Sequence, residues 1–205
     1  MGLRFRHLRF GQGFTPLMGW GIIIISNPQG EAQVAVLPMR RLPDPVLRQQ
    51  ARPVQRVDDA LRRLIQDMVD TMRAARGVGL AANQVGVLQQ VAVIEIPEEG
   101  FVRVLINPRV VAREGVREVE EGCLSVPGYR GLVYRSVRVV VKAQDERGKA
   151  VRIVASDNLL AQALEHEIDH LNGILYLDRL VRRDAVWRLP EAEEAPAPPP
   201  PRPRA

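Results

Sequence analysis

The sequence predicts an α+β fold with largely antiparallel sheets. Two segments have the apolar spacing of amphipathic helices, and five β-rich runs are clustered between them. Asp145-Glu146-Arg147-Gly148 separates the last two runs and is typical of a hairpin turn. Because the strands are clustered and do not alternate with helices, the pattern favours the α+β class.

The first helix is expected to begin at Asp58 or Asp59, since either side chain can cap a helix N-terminus, and Gly77 is expected to end it. Its apolar residues recur at helical spacing and predict one buried stripe. They are Leu61, Leu64, Ile65, Met68, Val69 and Met72.

The five β-rich runs follow the first helix and precede the second. The second helix is expected to begin near Ser156 or Asp157 and to end at Gly173, with Leu160, Leu164, Ile168 and Leu171 as its apolar residues. The β-rich runs are Val91–Ile96, Phe101–Ile106, Val116–Glu121, Val137–Ala143 and Ala150–Ala155.

The length and composition are those of one globular domain, which we expect to span residues 34–188. The chain has 205 residues, of which 46% are hydrophobic and 26% charged. The net charge is +5, but aromatic residues make up only 4%, and no basic run is interleaved with aromatics. We therefore expect no specific nucleic-acid site.

Both termini are expected to lie outside this domain. Residues 1–33 show no amphipathic period and contain no acidic residue before Glu31. A disordered extension or a start-site artefact is favoured there, followed by a transit peptide and then a secretion signal. Residues 189–205 form a Pro-rich tail that we expect to be disordered.

No membrane or disulfide signal is evident. The longest apolar run, Leu17 to Ile25, is about half of the ~20 residues that span a bilayer. Cys123 is the only cysteine, so an intrachain disulfide is impossible and a reducing compartment fits. We expect a cytoplasmic protein, or one of an organelle stroma or matrix if residues 1–33 are a transit peptide.

The segment His166-Glu167-Ile168-Asp169-His170 places an H-E-x-x-H pattern on the second helix. Residues four apart lie on one helix face, so both imidazoles can reach one metal ion. The side chain of Glu167 can lie close enough to a metal-bound water to act on it without being a ligand. A chance match on a solvated helix face is the alternative, but the apolar flanks of the helix favour a packed and oriented segment.

Two histidines do not hold a catalytic metal, so a third ligand is required. No histidine follows His170, which leaves a remote carboxylate or the thiol of Cys123. Cys123 is bracketed by Gly122 and Pro127, as expected of a shaped loop at a strand end. A small buried hydrophobic residue is the alternative interpretation of a lone cysteine.

A third segment, Gly77-Val78-Gly79-Leu80-Ala81-Ala82-Asn83-Gln84, allows close backbone approach and ends in an amide donor. A helix stop followed by a turn would explain it equally well.

Three segments of the chain resemble, in order, the three signature motifs of peptide deformylases. They are G-x-G-L-A-A-x-Q at Gly77–Gln84, E-G-C-L-S at Glu121–Ser125 and H-E-x-D-H-L at His166–Leu171. The likeness covers roughly Ala35 to Leu180. It implies antiparallel sheets packed around a central metal-binding helix. It also implies a metal-dependent hydrolase that removes the formyl group from the N-terminal formyl-methionine of new polypeptides and releases formate.

The resemblance also implies roles for individual residues. Cys123, His166 and His170 would hold the metal, Glu167 would be the acid/base, and Gln84 and the Leu124 N–H would face the oxyanion. The metal would be Fe(II), with Zn(II), Ni(II) or Co(II) as alternatives, because thiolate and imidazole bind all of them. The substrate-binding residues would be Gly79 for the peptide main chain, Val119, Leu159, Gln162 and Ala163 for the methionine pocket, and Arg130 beyond it.

Three features depart from the family pattern. Glu165 replaces the usual Gln beside the first histidine, and we expect it to be a solvated helix residue. Arg76 replaces the small, acidic or proline residue before the glycine loop. The Pro-rich tail replaces a C-terminal helix that docks some members on ribosomes, so any contact with the ribosome exit region is expected to be transient.

Two other functions are weighed against this one. A zinc endopeptidase shares H-E-x-x-H but requires neither of the other two motifs. A non-catalytic metal-binding or ribosome-interaction module would need a closed site of four ligands. Cys123 is the only cysteine and His7 is the only histidine outside the motif, so a closed nitrogen and sulfur site would need a carboxylate as well.

Overall fold

A computed structural model describes residues 36–190, so the expectations for residues 1–33 and for most of the tail lie outside the described residues. Within that range there are two α-helices, eight β-strands and three short 3-10 helices. The helices are α1 (Asp59–Ala74) and α2 (Leu159–Leu171). The strands are β1 (Gly79–Ala81), β2 (Val91–Glu95), β3 (Val102–Glu114), β4 (Arg117–Cys123), β5 (Val126–Arg135), β6 (Arg138–Gln144), β7 (Ala150–Ser156) and β8 (Val186–Arg188). The 3-10 helices are Pro45–Arg48, Ala82–Val85 and Tyr176–Arg179.

The strands form two sheets. One has five strands in the order β1-β2-β3-β6-β7, and the other has three in the order β4-β5-β8. All pairings between these strands are antiparallel. The predicted α+β class with antiparallel sheets is therefore confirmed.

Helix α1 is an amphipathic support that packs on the five-stranded sheet. Asp58 is its N-cap, and the Asp58 side chain accepts a hydrogen bond of 2.9 Å from the Leu61 N–H. The predicted stripe is buried except for the partly buried Leu64, and it packs against Leu80, Val91 and Val93 of β1 and β2. Burial of this stripe supplies most of the stability of such a helix.

The C-terminus of α1 differs from the prediction that Gly77 ends it. The helix ends at Ala74, and Arg76 adopts the left-handed conformation with φ of 54°. The Gly77 N–H donates to the Met72 carbonyl at 2.9 Å, and the Arg76 N–H donates to the Arg73 carbonyl at 3.0 Å. This is a Schellman closure in which arginine occupies the position that usually holds glycine.

Helix α2 lies on the same sheet but begins later than predicted. Its N-cap is Asn158, which accepts from the Ala161 N–H at 2.9 Å. The expected caps were wrong because Ser156 is the last residue of β7 and Asp157 takes a left-handed turn with φ of 48°. The apolar face of α2 packs on Val139 and Val141 of β6.

The five predicted strands are present as β2, β3, β4, β6 and β7, and Asp145–Gly148 forms the predicted hairpin turn. Strands β1, β5 and β8 were missed. Pro127, Gly128 and Gly131 interrupt the β5 sequence, while β1 and β8 have three residues each. Such segments become strands through pairing with a neighbour, and local propensity does not reveal them. Between residues 36 and 190, no helix is both long and apolar enough to cross a membrane.

Candidate metal centre

The three sulfur and imidazole side chains of the two chemical motifs meet at one point. Helix α2 presents His166 and His170 on one face, and Cys123 faces them from the end of β4. Their ligand atoms all lie within 4.8 Å of one another, and Cys123 Sγ is 3.2 Å from His170 Nε2. One thiolate and two imidazoles are a donor set that suits a divalent transition metal.

The orientation of His166 is fixed by a buried carboxylate. Its Nδ1 lies 2.8 Å from Glu121 Oε2, so a hydrogen bond there leaves Nε2 free for a metal. Arg135 donates to both oxygens of Glu121, at 2.7 and 2.9 Å. Burial alone would raise the pKa of Glu121, but hydrogen bonds from Arg135 and His166 lower it to about 2. Glu121 is therefore an anion at neutral pH.

Arg135 also links this carboxylate to helix α2. It donates to Asp169 at 2.6 Å, and Asp169 accepts two further hydrogen bonds, of 2.8 and 3.1 Å, from Arg179. The side chains of Arg135, Glu121 and Asp169 are almost fully buried. Each of these buried charges is thus paired, as the cost of desolvation requires.

The two histidines differ in their electrostatic surroundings. Burial lowers the pKa of His170 well below its ordinary value, which keeps the imidazole neutral, as a metal ligand must be. Burial also opposes a charge on His166, but hydrogen bonds to Cys123 and Glu121 raise its pKa well above the ordinary value. Neighbours in the same site thus shift the pKa values of the two imidazoles in opposite directions.

Glu167 is buried beside the triad of Cys123, His166 and His170, with 4% of its surface exposed. Burial raises the pKa of its carboxyl to about 7. Among residues 36–190, its Oε2 has no hydrogen-bond partner. A Cβ at Gly79 would lie 2.3 Å from its Oε1, so only glycine leaves room for this carboxyl. The group can exchange a proton near neutral pH.

The glycine-rich segment brings an amide to the sulfur. Gln84 lies in a 3-10 helix, and its Oε1 accepts from the Ala81 N–H at 2.8 Å. Its Nε2 therefore points towards Cys123 Sγ at 3.6 Å and Ser125 Oγ at 3.2 Å. Leu124 lies in the two-residue turn that joins β4 to β5. The three predicted motifs thus converge on one site.

The predicted methionine-pocket residues lie around α2 and the three-stranded sheet. Val119 is partly buried and packs with Cys123 against Val126 and Tyr176. Ala163 is buried in the core between α2 and the five-stranded sheet.

Two polar residues of the predicted substrate site share a partner. Gln162 Nε2 donates to the Glu120 carbonyl at 2.9 Å, and Arg130 donates to the Glu120 carboxylate at 2.7 Å. Leu159, also predicted for the pocket, is the first residue of α2 and is exposed. Arg130 remains about half exposed in its pair.

Sequence analysis missed the residues that support the triad. Glu121 lies within the second motif and was not assigned a role, and no spacing pattern indicates Arg135. The expectation that Glu165 is solvated was wrong, since it is 6% exposed. Three donors surround it: the Ser136 N–H at 2.7 Å, the Ser136 hydroxyl at 3.0 Å and Arg113 at 2.8 Å. Tertiary packing around α2 buries residues that helical periodicity alone places in solvent.

Known proteins resemble the chain in both sequence and structure. Residues 36–186 match the family model of polypeptide deformylases. The peptide deformylase of Dehalococcoides mccartyi (strain CBDB1) is 45% identical over 163 residues, which cover 80% of this chain and 97% of that protein. The crystal structure of a peptide deformylase from Legionella pneumophila matches with a TM-score of 0.69 at 48% identity, covering 71% of this chain and 86% of that one. A peptide deformylase from Synechococcus elongatus, solved in complex with actinonin, gives 0.69 at 42% identity, covering 79% and 88%.

Proposed function

The chain belongs to the polypeptide deformylase family, and from that membership we propose how its own residues carry out the reaction. The reaction is hydrolysis: the formyl group leaves the N-terminal formyl-methionine of a newly synthesised polypeptide as formate. The zinc-endopeptidase and non-catalytic alternatives are set aside, since the family match covers all three motifs.

We propose that Cys123, His166 and His170 hold one Fe(II) ion, with Zn(II), Ni(II) and Co(II) as the alternatives. The clustering of one sulfur and two imidazole nitrogens within 4.8 Å supports this, as does the hydrogen bond that leaves His166 Nε2 free. A divalent metal held by these three residues would supply Lewis acidity for the hydrolysis.

Glu167 is the proposed proton carrier. Its carboxyl takes a proton from the attacking water and later delivers it to the leaving amine nitrogen. A carboxyl with a pKa of about 7 suits both transfers, because it gains and loses a proton near the working pH. General acid–base catalysis by one such group is typically worth ~10²–10⁴-fold.

Gln84 Nε2 and the Leu124 N–H are the proposed donors to the oxyanion. The hydrogen bond from Ala81 to Gln84 Oε1 supports this assignment, because it orients the amide so that the NH₂ group faces the sulfur. Removal of one such donor typically costs ~10²–10³-fold in rate.

Substrate binding is proposed for the remaining candidates. Gly79 would bond the main chain of the substrate at the edge strand β1, while Arg130 would meet the residues after methionine. The methionine pocket is assigned to Val119, Leu159, Gln162 and Ala163. The position of β1 at the edge of its sheet supports the Gly79 assignment, since an edge strand keeps free backbone groups.

The proposed partners are N-formyl-methionyl nascent polypeptides, and any contact with the ribosome exit region is transient. We propose no membrane partner and no specific nucleic-acid site. The proposed location is the cytoplasm, or an organelle stroma or matrix if residues 1–33 are a transit peptide. Residues 34–188 are the proposed catalytic domain. The two sheets and two helices support this boundary, because all of them end by Arg188.

One observation carries these assignments: the Gln84 amide and the two α2 histidines meet at the sulfur of Cys123. The test is anaerobic purification with metal analysis, followed by turnover of formyl-Met-Ala-Ser beside a peptide with only internal amide bonds. Wild type should bind one metal per chain and cleave only the formyl group. Cys123→Ser should lose Fe(II) readily, since a neutral hydroxyl replaces a soft anion. Full metal occupancy and unchanged metal affinity in that variant would refute the ligand assignment.

A further inference from the structure

The Glu165 carboxylate fastens helix α2 to two other elements of the fold. Glu165 immediately precedes His166, and consecutive helical residues point about 100° apart, so its side chain leaves the helix in another direction. It accepts from Arg113 of β3 at 2.8 Å and from Ser136, just after β5, at 2.7 and 3.0 Å. One buried side chain thus ties the helix to both sheets.

The same corner of the chain also holds the His166 ring. Ser136 follows Arg135, which donates two hydrogen bonds to the Glu121 carboxylate. Glu121 in turn accepts the hydrogen bond from His166 Nδ1. Two adjacent residues therefore constrain His166 from two directions. Arg135 acts on the ring through Glu121, and Ser136 acts on the helix through Glu165.

The rotation of α2 about its axis matters because the ring of His166 lies far from that axis, so a small rotation displaces the ring nitrogens. A rotation of about 10° moves a ring nitrogen roughly 6 Å from the axis by about 1 Å, whereas a functional site must be held within about 0.5 Å. The apolar contacts of α2 with β6 are non-directional. The hydrogen bonds to Glu165 are directional, as are those that Arg135 and Arg179 donate to Asp169, and both sets oppose the rotation.

We propose that Glu165 is a positioning residue: it fixes the rotation of α2 and thereby the direction of the His166 ring nitrogen towards the metal. The inference rests on the proposed role of His166 as a metal ligand. Glu165 is not among the proposed metal ligands or substrate-binding residues. Its loss therefore changes the geometry and lifetime of the metal site and lowers kcat, while KM for formyl-Met-Ala-Ser stays nearly constant.

The test uses the full chain loaded with Co(II), whose visible absorption reports coordination geometry without turnover. The rate of Co(II) release to a chelator gives a second reading. Glu165→Ala should shift the absorption bands and release the ion at least about tenfold faster, since loss of a residue that supports metal ligands typically lowers metal affinity by ~10–100-fold. Ser136→Ala, which removes one of three donors, should release it at an intermediate rate.

Glu95→Ala is the matched control. Glu95 of β2 accepts two hydrogen bonds of 2.7 Å from Arg73 of α1, which is also a tie between a helix and the sheet. Its loss should lower stability modestly and leave the Co(II) spectrum and release rate as in wild type. A purely structural role for Glu165 predicts this same behaviour for Glu165→Ala.

If Glu165→Ala does not fold, Glu165→Gln decides. The amide keeps one acceptor oxygen and faces its other donors with an NH₂ group, so release should be faster than in wild type and slower than in an alanine variant. Wild-type spectra and release rates in whichever Glu165 variants fold would overturn the proposal. Failure of the ligand assignment is distinguishable, because His166→Ala would then leave the Co(II) spectrum of the chain unchanged.

Discussion

The two helices lie on the same five-stranded sheet but are built differently. Helix α1 buries one apolar stripe and leaves Arg62, Arg63 and Gln66 exposed. Helix α2 is buried on nearly every side, including three carboxylates and a histidine. The buried face of α1 is apolar except for Thr71, which accepts a hydrogen bond from the Leu37 N–H. Helix α2 instead places charged groups in the interior, and these groups need partners.

Each buried carboxylate of α2 has a different set of partners. Glu165 has three donors, and Asp169 is held by Arg135 and Arg179. In the described chain, only Glu167 among these three keeps an oxygen without a hydrogen-bond partner. Two of the carboxylates thus hold the structure together, while the third is left available for chemistry.

The largest effect should come from breaking the charge network of α2. Arg135→Ala leaves Glu121 and Asp169 buried without their shared partner, so the free energy of unfolding should fall by about 3–5 kcal/mol. The corresponding change at α1, Arg73→Ala, breaks a pair that is half exposed and should cost at most about 1 kcal/mol. Urea unfolding measures both. Equal losses would show that burial does not separate the two helices.

The next effect concerns the space around Glu167. Gly79→Ala places a methyl group where the Glu167 carboxyl lies, and the displacement should lower kcat by about 10²-fold, as misplacement of a reacting group by about 1 Å does. Gly77→Ala is the matched control, since its methyl group meets the flexible end of Leu124 at 2.7 Å. Steady-state kinetics with metal analysis compares them. Normal kcat in the Gly79 variant would mean that Glu167 tolerates displacement.

A smaller and opposite effect is expected at the C-terminus of α1. Arg76→Gly should raise the free energy of unfolding by up to about 1 kcal/mol, because it removes the cost of a left-handed non-glycine residue. Ala75→Gly, one residue earlier in the right-handed conformation, should lower it. Thermal and urea unfolding give the sign, and kcat should not change in either. A less stable Arg76→Gly protein would contradict the Schellman assignment.

The smallest effect should follow removal of the termini. A chain of residues 34–188 keeps both helices and both sheets, so its kcat on formyl-Met-Ala-Ser should stay within about twofold of the full chain. A chain of residues 34–190 is the control, because the Leu189 N–H donates to the Gly128 carbonyl at 2.8 Å. A large loss of activity in both folded chains would show that the termini contribute to the site.

The two helices also differ in how far the sequence predicts them. Local features were sufficient for the apolar stripe and the Asp58 cap of α1, although the end of the helix at Ala74 was not predicted. For α2 the motif indicated the chemistry, but neither the Asn158 cap nor the burial of Glu165 followed from it. The position of the cap depends on where β7 ends. The burial of Glu165 depends on Ser136 and Arg113, which lie 29 and 52 positions away in the chain.

The same distinction applies to the site. Cys123, Gln84 and the histidines stand out by residue type and motif, and the structure brings them together. Arg135 and Ser136 carry no local signal, because their importance arises only when β5 passes beside α2. Contacts between distant segments are set by the packed fold, and local patterns do not contain them.

The most direct test is whether Glu167 moves protons or binds metal. Glu167→Ala should retain one metal per chain, measured by mass spectrometry, while kcat on formyl-Met-Ala-Ser falls by about 10⁴-fold and KM changes little. Glu167→Gln, which keeps the shape of the side chain, should behave in the same way because it cannot carry the proton. Full metal with near-normal kcat would contradict the account, and loss of the metal would instead make Glu167 a ligand.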